Sequence, residues 1–340
     1  MTVTTRRSAM AFLAALAASP LLLQSAWAQT ALKLSHQFPG GTIDAGDFRD
    51  RLSRMFAAEV EKRSKGALKF SIYPGSSLMK TNAQFSAMRK GALDLSLVPL
   101  SYAGGEVPEV NIGLMPGLVT SYEQAYGWKN AEVGKELARI LYDKGIVMVS
   151  WIWQGGGMAS RTKPVVDPDD AKGMKIRGGS REMDLMLKAA GAAVVTLPSN
   201  EIYAAMQTGA MEAALTSSTS LISFRLEEVS KGLTTARAGS YWFMLEPLMM
   251  SRSVFDKLPK DQQQLILAVG AELEAFALKS SKEDDQQVAA VYQKVDAKVV
   301  DMTPASLKKW QTIARATAWK DYSDKSPSCA NLLKLAEKTL

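Results

Sequence analysis

The sequence is short of the residues on which most catalytic and metal chemistry depends. It has one cysteine, Cys329, and one histidine, His36, in 340 residues. A single cysteine cannot close an internal disulfide or build a thiolate zinc or iron–sulfur site. A single histidine excludes a multi-histidine metal centre and leaves little for imidazole acid–base chemistry. G-x-S-x-G, Walker A, H-E-x-x-H, C-x-x-C and a complete G-x-G-x-x-G are all missing. S-x-x-K occurs at Ser77/Lys80, Ser160/Lys163 and Ser306/Lys309, but without its S-D-N and K-T-G companions it is a chance pattern. Two acid pairs remain. Asp169-Asp170 follows Pro168 and suits a turn or helix start, and Asp284-Asp285 suits the solvated face of a charged helix. No cofactor or metal is expected, although carboxylate-only catalysis stays open.

The chain also lacks a transmembrane run. The one long apolar stretch, Ala9 to Leu23, is shorter than the roughly 20 residues a span needs. Arg6-Arg7 precede it and Ala26-Trp27-Ala28 follow it. A basic start, an apolar centre and a small-x-small site describe a secretory signal peptide over residues 1–28. Its removal leaves 312 residues and, by taking two arginines and no acid, lowers the formal net charge from +7 to +5. The basic residues are scattered, with one dense spot at Lys62, Arg63 and Lys65, which suits solvated surface rather than a nucleic-acid groove. A soluble protein is expected, periplasmic in a Gram-negative host.

What is present is globular: 47% hydrophobic and 22% charged residues, with 24 glycines and 13 prolines, a balance that excludes disorder and low complexity. One rhythm recurs. A helix-like stretch ends at Gly, and a short apolar run follows: Gly66 before Ala67–Tyr73, Gly91 before Ala92–Pro99, Gly145 before Ile146–Trp153, Gly191 before Ala192–Leu197, and Gly209 before Ala210–Thr216. Glycine closes a helix in the left-handed conformation, and short apolar runs suit strands covered on both faces. The fold class is therefore α/β. After the runs come loops rich in Gly, Ser and Thr, among them Phe38–Gly41, Ser101–Gly104, Arg177–Ser180 and Thr216–Thr219. Ligands of open α/β sheets bind beyond the carboxyl ends of strands, so these loops point to a cleft. His36 stands near the end of the first strand, where it either touches ligand or packs. The tail differs. Residues 261–301 read as one long or broken helix, and Thr303-Pro304 and Ser326-Pro327 open two more.

The segment from Ile152 to Glu228 is the most informative. It contains Pro168-Asp169-Asp170-Ala171-Lys172-Gly173-Met174-Lys175-Ile176-Arg177. It continues through Gly191-Ala192 and Leu197-Pro198-Ser199-Asn200-Glu201-Ile202-Tyr203-Ala204-Ala205-Met206-Gln207-Thr208-Gly209. This resembles the DctP-type solute-binding proteins of TRAP (tripartite ATP-independent periplasmic) transporters, with their P-x-D-x-K-G-x-K-x-R and P-x-x-E-x-Y-x-A-x-x-x-G patterns. Tyr73-Pro74-Gly75-Ser76-Ser77-Leu78, Gly91-Ala92-Leu93-Asp94-Leu95, Met115-Pro116-Gly117-Leu118 and Leu258-Pro259-Lys260-Asp261-Gln262-Gln263 extend the resemblance over essentially the whole mature chain.

The resemblance implies a two-lobed periplasmic binding protein with a ligand cleft between lobes and long C-terminal bracing helices. Residues 29–152 with about 243–282 would form the first lobe, and 153–242 with about 283–340 the second. It implies that Arg177 pairs with a ligand carboxylate, a role its planar fork suits, with Ser180 capping the next helix. The family's second Arg is absent; Met158 stands near its place, and Arg161 and Arg181 are the nearby alternatives. The family's D-G-x-E is replaced by Glu212-Ala213-Ala214-Leu215. One sure arginine favours a monocarboxylate, aromatic or otherwise apolar, against Trp153, Trp242, Phe38 and Met158. Ser101, Tyr102, Asn200, Thr216, Ser217 and Ser218 are the polar candidates. The aromatic residues suit a core equally well. The expected activity is binding and delivery to the membrane subunits of a TRAP transporter by a monomer, without chemistry. A periplasmic enzyme on a similar fold and a sensor-input binding protein are the alternatives.

Overall fold

A computed structural model describes residues 1–2 and 29–340; the expected signal peptide lies almost wholly outside the described residues. Two sheets organise the chain. The first takes β1 (Thr30–His36), β2 (Leu68–Tyr73), β3 (Leu95–Leu97), β4 (Ile146–Ser150) and β11 (Leu248–Ser251), in the order β2-β1-β3-β11-β4. The second takes β5 (Trp153–Ser160), β6 (Lys175–Arg177), β7 (Ala193–Val194), β8 (Ala213–Ser217), β9 (Gly232–Thr235), β10 (Phe243–Leu245) and β12 (Lys298–Asp301). Its order is β12-β9-β5-β8-β6-β7, with β10 beside β5. Among the described residues the chain crosses between sheets three times: at Trp151-Ile152, at Glu246-Pro247, and from β11 to β12 through the helices between them.

The local signals account for most elements. All five helix-closing glycines adopt positive φ, from +69° at Gly91 to +90° at Gly145. The helix Phe48–Arg63 starts at Asp47, whose side chain accepts the Arg49 N–H, and buries Leu52, Phe56 and Val60 at four-residue spacing. Those residues join Leu32, Leu34 and Leu97 in the core of the first sheet. A separate core under the second sheet holds Ala159, Leu221, Leu233 and Tyr292. A third and larger cluster joins Trp128 and Leu137 with Trp153, Met183, Tyr241, Trp310 and Leu333. It draws on both halves and on the tail.

Several expectations change. The apolar run Ile146–Trp153 is not one strand: β4 ends at Ser150, and β5 begins in the other sheet at Trp153. Phe243–Leu245 pairs with β5, so the return crossing falls after residue 245 rather than after 242. Residues 261–301 form two helices, Lys260–Glu272 and Glu274–Gln293, followed by β12 rather than more helix. Ser326 does cap the last helix, Pro327–Glu337, accepting from Cys329 N. That helix packs on Glu132–Asp143, which lies against β4, so the tail does not belong wholly with the second sheet. Among the described residues no helix is long and apolar enough to cross a membrane.

Candidate functional site

The carboxyl ends of β1, β3, β6 and β8 carry most of the candidate residues, and Arg177 is the best defined of them. It ends β6 and is 2% exposed. Its Nε donates to Leu197 O at 3.1 Å, Nη1 to Leu215 O at 2.7 Å and Nη2 to the Tyr102 hydroxyl at 2.8 Å. Among the described residues no carboxylate forms an ion pair with it. A guanidinium carries five N–H donors, so two are left over. Tyr102 also accepts from Ser199 N at 2.9 Å. With two N–H groups filling its acceptor sites, its own O–H is a further donor. A buried cation held by neutral acceptors, with spare donors beside it, is arranged to receive an anion.

The surroundings hold this group in place. Ser180 Oγ accepts from Met183 N at 3.1 Å and donates to Leu114 O at 3.1 Å. Gly179 has φ +98°, and a Cβ there would lie 2.7 Å from Arg177 Nη1, so only glycine lets the turn pass so close. Trp242 props the turn from behind, donating from Nε1 to Gly178 O at 3.0 Å. Its ring fills the space over Gly156, where a Cβ would come within 2.2 Å of Cε3. A cavity of about 500 Å³ opens beside Tyr102, lined by Ser101, Asn111, Gly179, Asp184 and Leu197. Burial raises the Asp184 carboxyl to about 6, while Thr196 and Arg177 pull the other way. A larger groove of about 720 Å³ runs past Arg63 and Asp261 and holds none of the candidates.

Bonds cross from the first half to the second around this cavity. Ser101 Oγ donates to Gly179 O at 3.2 Å, Thr81 Oγ1 to Asn200 Oδ1 at 3.4 Å, and Asn111 Nδ2 to Glu182 Oε1 at 3.0 Å. Ser101 and Tyr102 line this cavity, Arg177 reaches it through the Tyr102 hydroxyl, and Asn200 stands outside its lining residues. Residues 48–325 match the family described as bacterial extracellular solute-binding protein, family 7, DctP. A solute-binding protein of Albidiferax ferrireducens is 72% identical over 98% of this chain and 99% of its own. The chain belongs to the DctP family. A crystallised TRAP periplasmic solute-binding protein of Rhodoferax ferrireducens with bound malonate is similar at 75% identity and TM-score 0.90, covering 91% of this chain and 98% of that one. A Bordetella pertussis extracytoplasmic solute receptor, DctP7, which binds pyroglutamic acid, shares the fold at TM-score 0.81 and 23% identity, with 91% and 99% covered. DctP-family proteins are extracytoplasmic solute receptors rather than enzymes.

Other candidates of this DctP-family chain are tied to internal partners. His36 is fully buried, with Nε2 3.1 Å from Asp50 Oδ1, and stacks on Phe38 at 5.5 Å. Phe38 lies under the Arg49 guanidinium at 3.7 Å. Ser217 faces Arg49, and Ser218 bonds Asp285. Asp285 is buried and also accepts from the Tyr122 hydroxyl at 2.7 Å. Asp284 accepts from Thr219 Oγ1 at 2.6 Å, and burial raises it to about 6. These acids are therefore not the solvated pair expected. Thr216 is buried and pairs with Gly157. Met158 is 1% exposed and lines an internal gap of about 10 Å³ with Tyr241 and Met302, so it offers its thioether to the core. Trp153 packs edge-on against Trp128 at 5.2 Å. Arg181 is paired with Asp321, and Arg161 is exposed.

The sequence reading missed Gln37. It is 1% exposed, and among the described residues neither amide atom has a partner. A polar residue just past the end of β1, between two residues that turn inward, was the available signal.

Proposed function

We propose that the mature protein, freed of residues 1–28 in the periplasm, binds a small organic acid between two lobes and presents it, as a monomer, to the membrane subunits of a TRAP transporter. The lobes are built on the two sheets, with hinges at 151–152 and 246–247. The ligand places one carboxylate on the two spare N–H groups of Arg177 and the Tyr102 hydroxyl. The observation that carries this reading is a buried guanidinium held by two carbonyls and a hydroxyl, with no carboxylate of its own. The malonate in the Rhodoferax ferrireducens relative supports a carboxylate and extends the expected monocarboxylate to short diacids. With Met158 where a second arginine would stand, the rest of the ligand meets the other groups that line the cavity, among them Ser101, Asn111 and Asp184. Ligand contacts to both lobes favour the closed form.

The test is a thermal-shift and calorimetric screen of refolded residues 29–340 against malonate, short monocarboxylates and aromatic acids, beside Arg177→Lys. A ligand at 100 times its Kd stabilises by about 2.7 kcal/mol. The expected result is a shift with one acid class that collapses in Arg177→Lys while circular dichroism is unchanged. A shift equal in both proteins would remove Arg177 from the site.

A further inference from the structure

A second buried arginine, unrelated to the carboxylate anchor, sits where the two sheets meet the return crossing. Arg49 is fully buried at the start of the helix Phe48–Arg63. Its Nε donates to Asp47 Oδ1 at 2.9 Å and its Nη2 to Asp47 Oδ2 at 2.6 Å, a bidentate pair within the first half. Its Nη1 reaches out of that half, 3.0 Å from Ser220 Oγ and 3.4 Å from Ser217 Oγ. Both hydroxyls stand at the turn from β8 into the helix Ser218–Ser223. The same Nη1 lies 3.2 Å from Glu246 Oε2, in the crossing segment, and Gln154 of β5 bonds that same oxygen. Phe38, at the end of β1, stacks on the guanidinium face. One planar cation thus touches the first lobe, the second lobe and the segment about which they turn.

We infer that Arg49 is a positioning residue for lobe closure: it stays paired with Asp47 when the lobes part, and it gathers Ser217, Ser220 and Glu246 when they close. The inference rests on the two-lobe binding function proposed above. Three observations carry it. First, the bidentate pair to Asp47 is local, two residues away, and does not depend on closure. Second, the contacts to Ser217 and Ser220 span about half the chain and need the sheets in this arrangement. Third, Ser217 Oγ is at once the cap of the helix Ser218–Ser223, accepting from Ser220 N at 3.1 Å. Any tilt of the second lobe therefore moves its hydroxyl relative to Arg49. A fork is needed because one side of the guanidinium must hold Asp47 while the other meets hydroxyls and a carboxylate; an ammonium has no such fixed geometry. Arg49 contacts no ligand in this scheme. It sets how much of the binding free energy is spent on closing.

Arg49→Lys and the double variant Ser217→Ala/Ser220→Ala approach the contact from opposite lobes. Malonate is the probe. Calorimetry gives its affinity, stopped-flow fluorescence gives the association and dissociation rates, and spin labels at Lys69→Cys and Lys188→Cys report the distance between lobes. Each variant is expected to lose at least tenfold in affinity through faster dissociation and to show a smaller closed fraction with malonate bound, and the serine variant, which leaves the Asp47 pair intact, to melt in the absence of malonate near the wild-type temperature. Combining the two variants should add little to either. Equal losses of melting temperature with and without malonate, at unchanged closed fraction, would make Arg49 a structural residue only. If Arg49→Lys does not fold, the serine variant alone decides, because it leaves the Asp47 pair intact. Failure of the wild type to bind malonate or any other acid would instead overturn the binding function itself.

Discussion

Among the described residues two arginines, Arg49 and Arg177, are almost completely buried, and their partners set them apart. Arg49 has the carboxylates of Asp47 and Glu246 within ion-pair distance, so its charge is compensated inside the protein. Arg177 has two carbonyls and a tyrosine hydroxyl, and in the proposed function an incoming carboxylate completes it. Burying a charge without an opposite one is among the more expensive choices a fold can make, which is why Arg177 reads as a binding residue. Asp184 has the complementary problem. Burial raises its carboxyl to about 6, so the native state holds its proton at pH values where the unfolded chain has lost it. Stability from this group is then fully present below pH 4 and is lost as pH rises through 6. A two-unit difference corresponds to at most about 3 kcal/mol. Asp184→Asn should therefore match the wild type in urea unfolding near pH 4 and exceed it near pH 7. Equal differences at both pH values would show that Asp184 ionises without cost.

At the scale of elements, the sequence was legible where one residue type carries one job. The helix-closing glycines and the caps Ser180, Thr303 and Ser326 all act as read. Ser326→Ala should cost about 1 kcal/mol, measured as a lower urea midpoint at unchanged slope. The failures share a cause. β10 and β12 have three and four residues, too few for a periodicity, and only their pairing partners define them. Ile146–Trp153 reads as one run because both sheets bury it; its crossing at 151–152 leaves no polar mark, and the boundary expected there came from the family resemblance. Ser217, Ser218 and Asp285 were misread because their partners are more than 60 residues away. Gly156 shows how closely such pairing is set. A Cβ there would lie 2.4 Å from Thr216 O and 2.2 Å from the Trp242 ring. Gly156→Ala should shift β5 against β8, destabilise by about 1–3 kcal/mol and weaken acid binding through Trp242 and Gly178. An unchanged affinity would separate Trp242 from the anchor.

At the scale of the molecule, the third core decides how the halves behave together. The first sheet and the second each have a core of their own, so each half has the means to fold alone. The cluster around Trp128, Trp153, Tyr241 and Trp310 belongs to neither. The tail completes it from two sides. The helix Pro304–Ala314 lies on Arg181–Ala189 of the second half. The helix Pro327–Glu337 lies on Glu132–Asp143 of the first, and Thr339 accepts from Trp128 Nε1 at 3.1 Å. Removing residues 327–340 would uncover that face without touching Arg177 or either sheet's own core. With malonate bound, the intact protein should unfold in urea as one transition, the same by far-ultraviolet circular dichroism and by tryptophan fluorescence. In the truncated chain the fluorescence transition should come first, because most of the tryptophans lie in the shared cluster, and the circular dichroism should follow as the separate sheets melt. Coincident transitions in the truncated chain would mean that the halves are held together by the cleft and the chain crossings, and that the last helix only covers them.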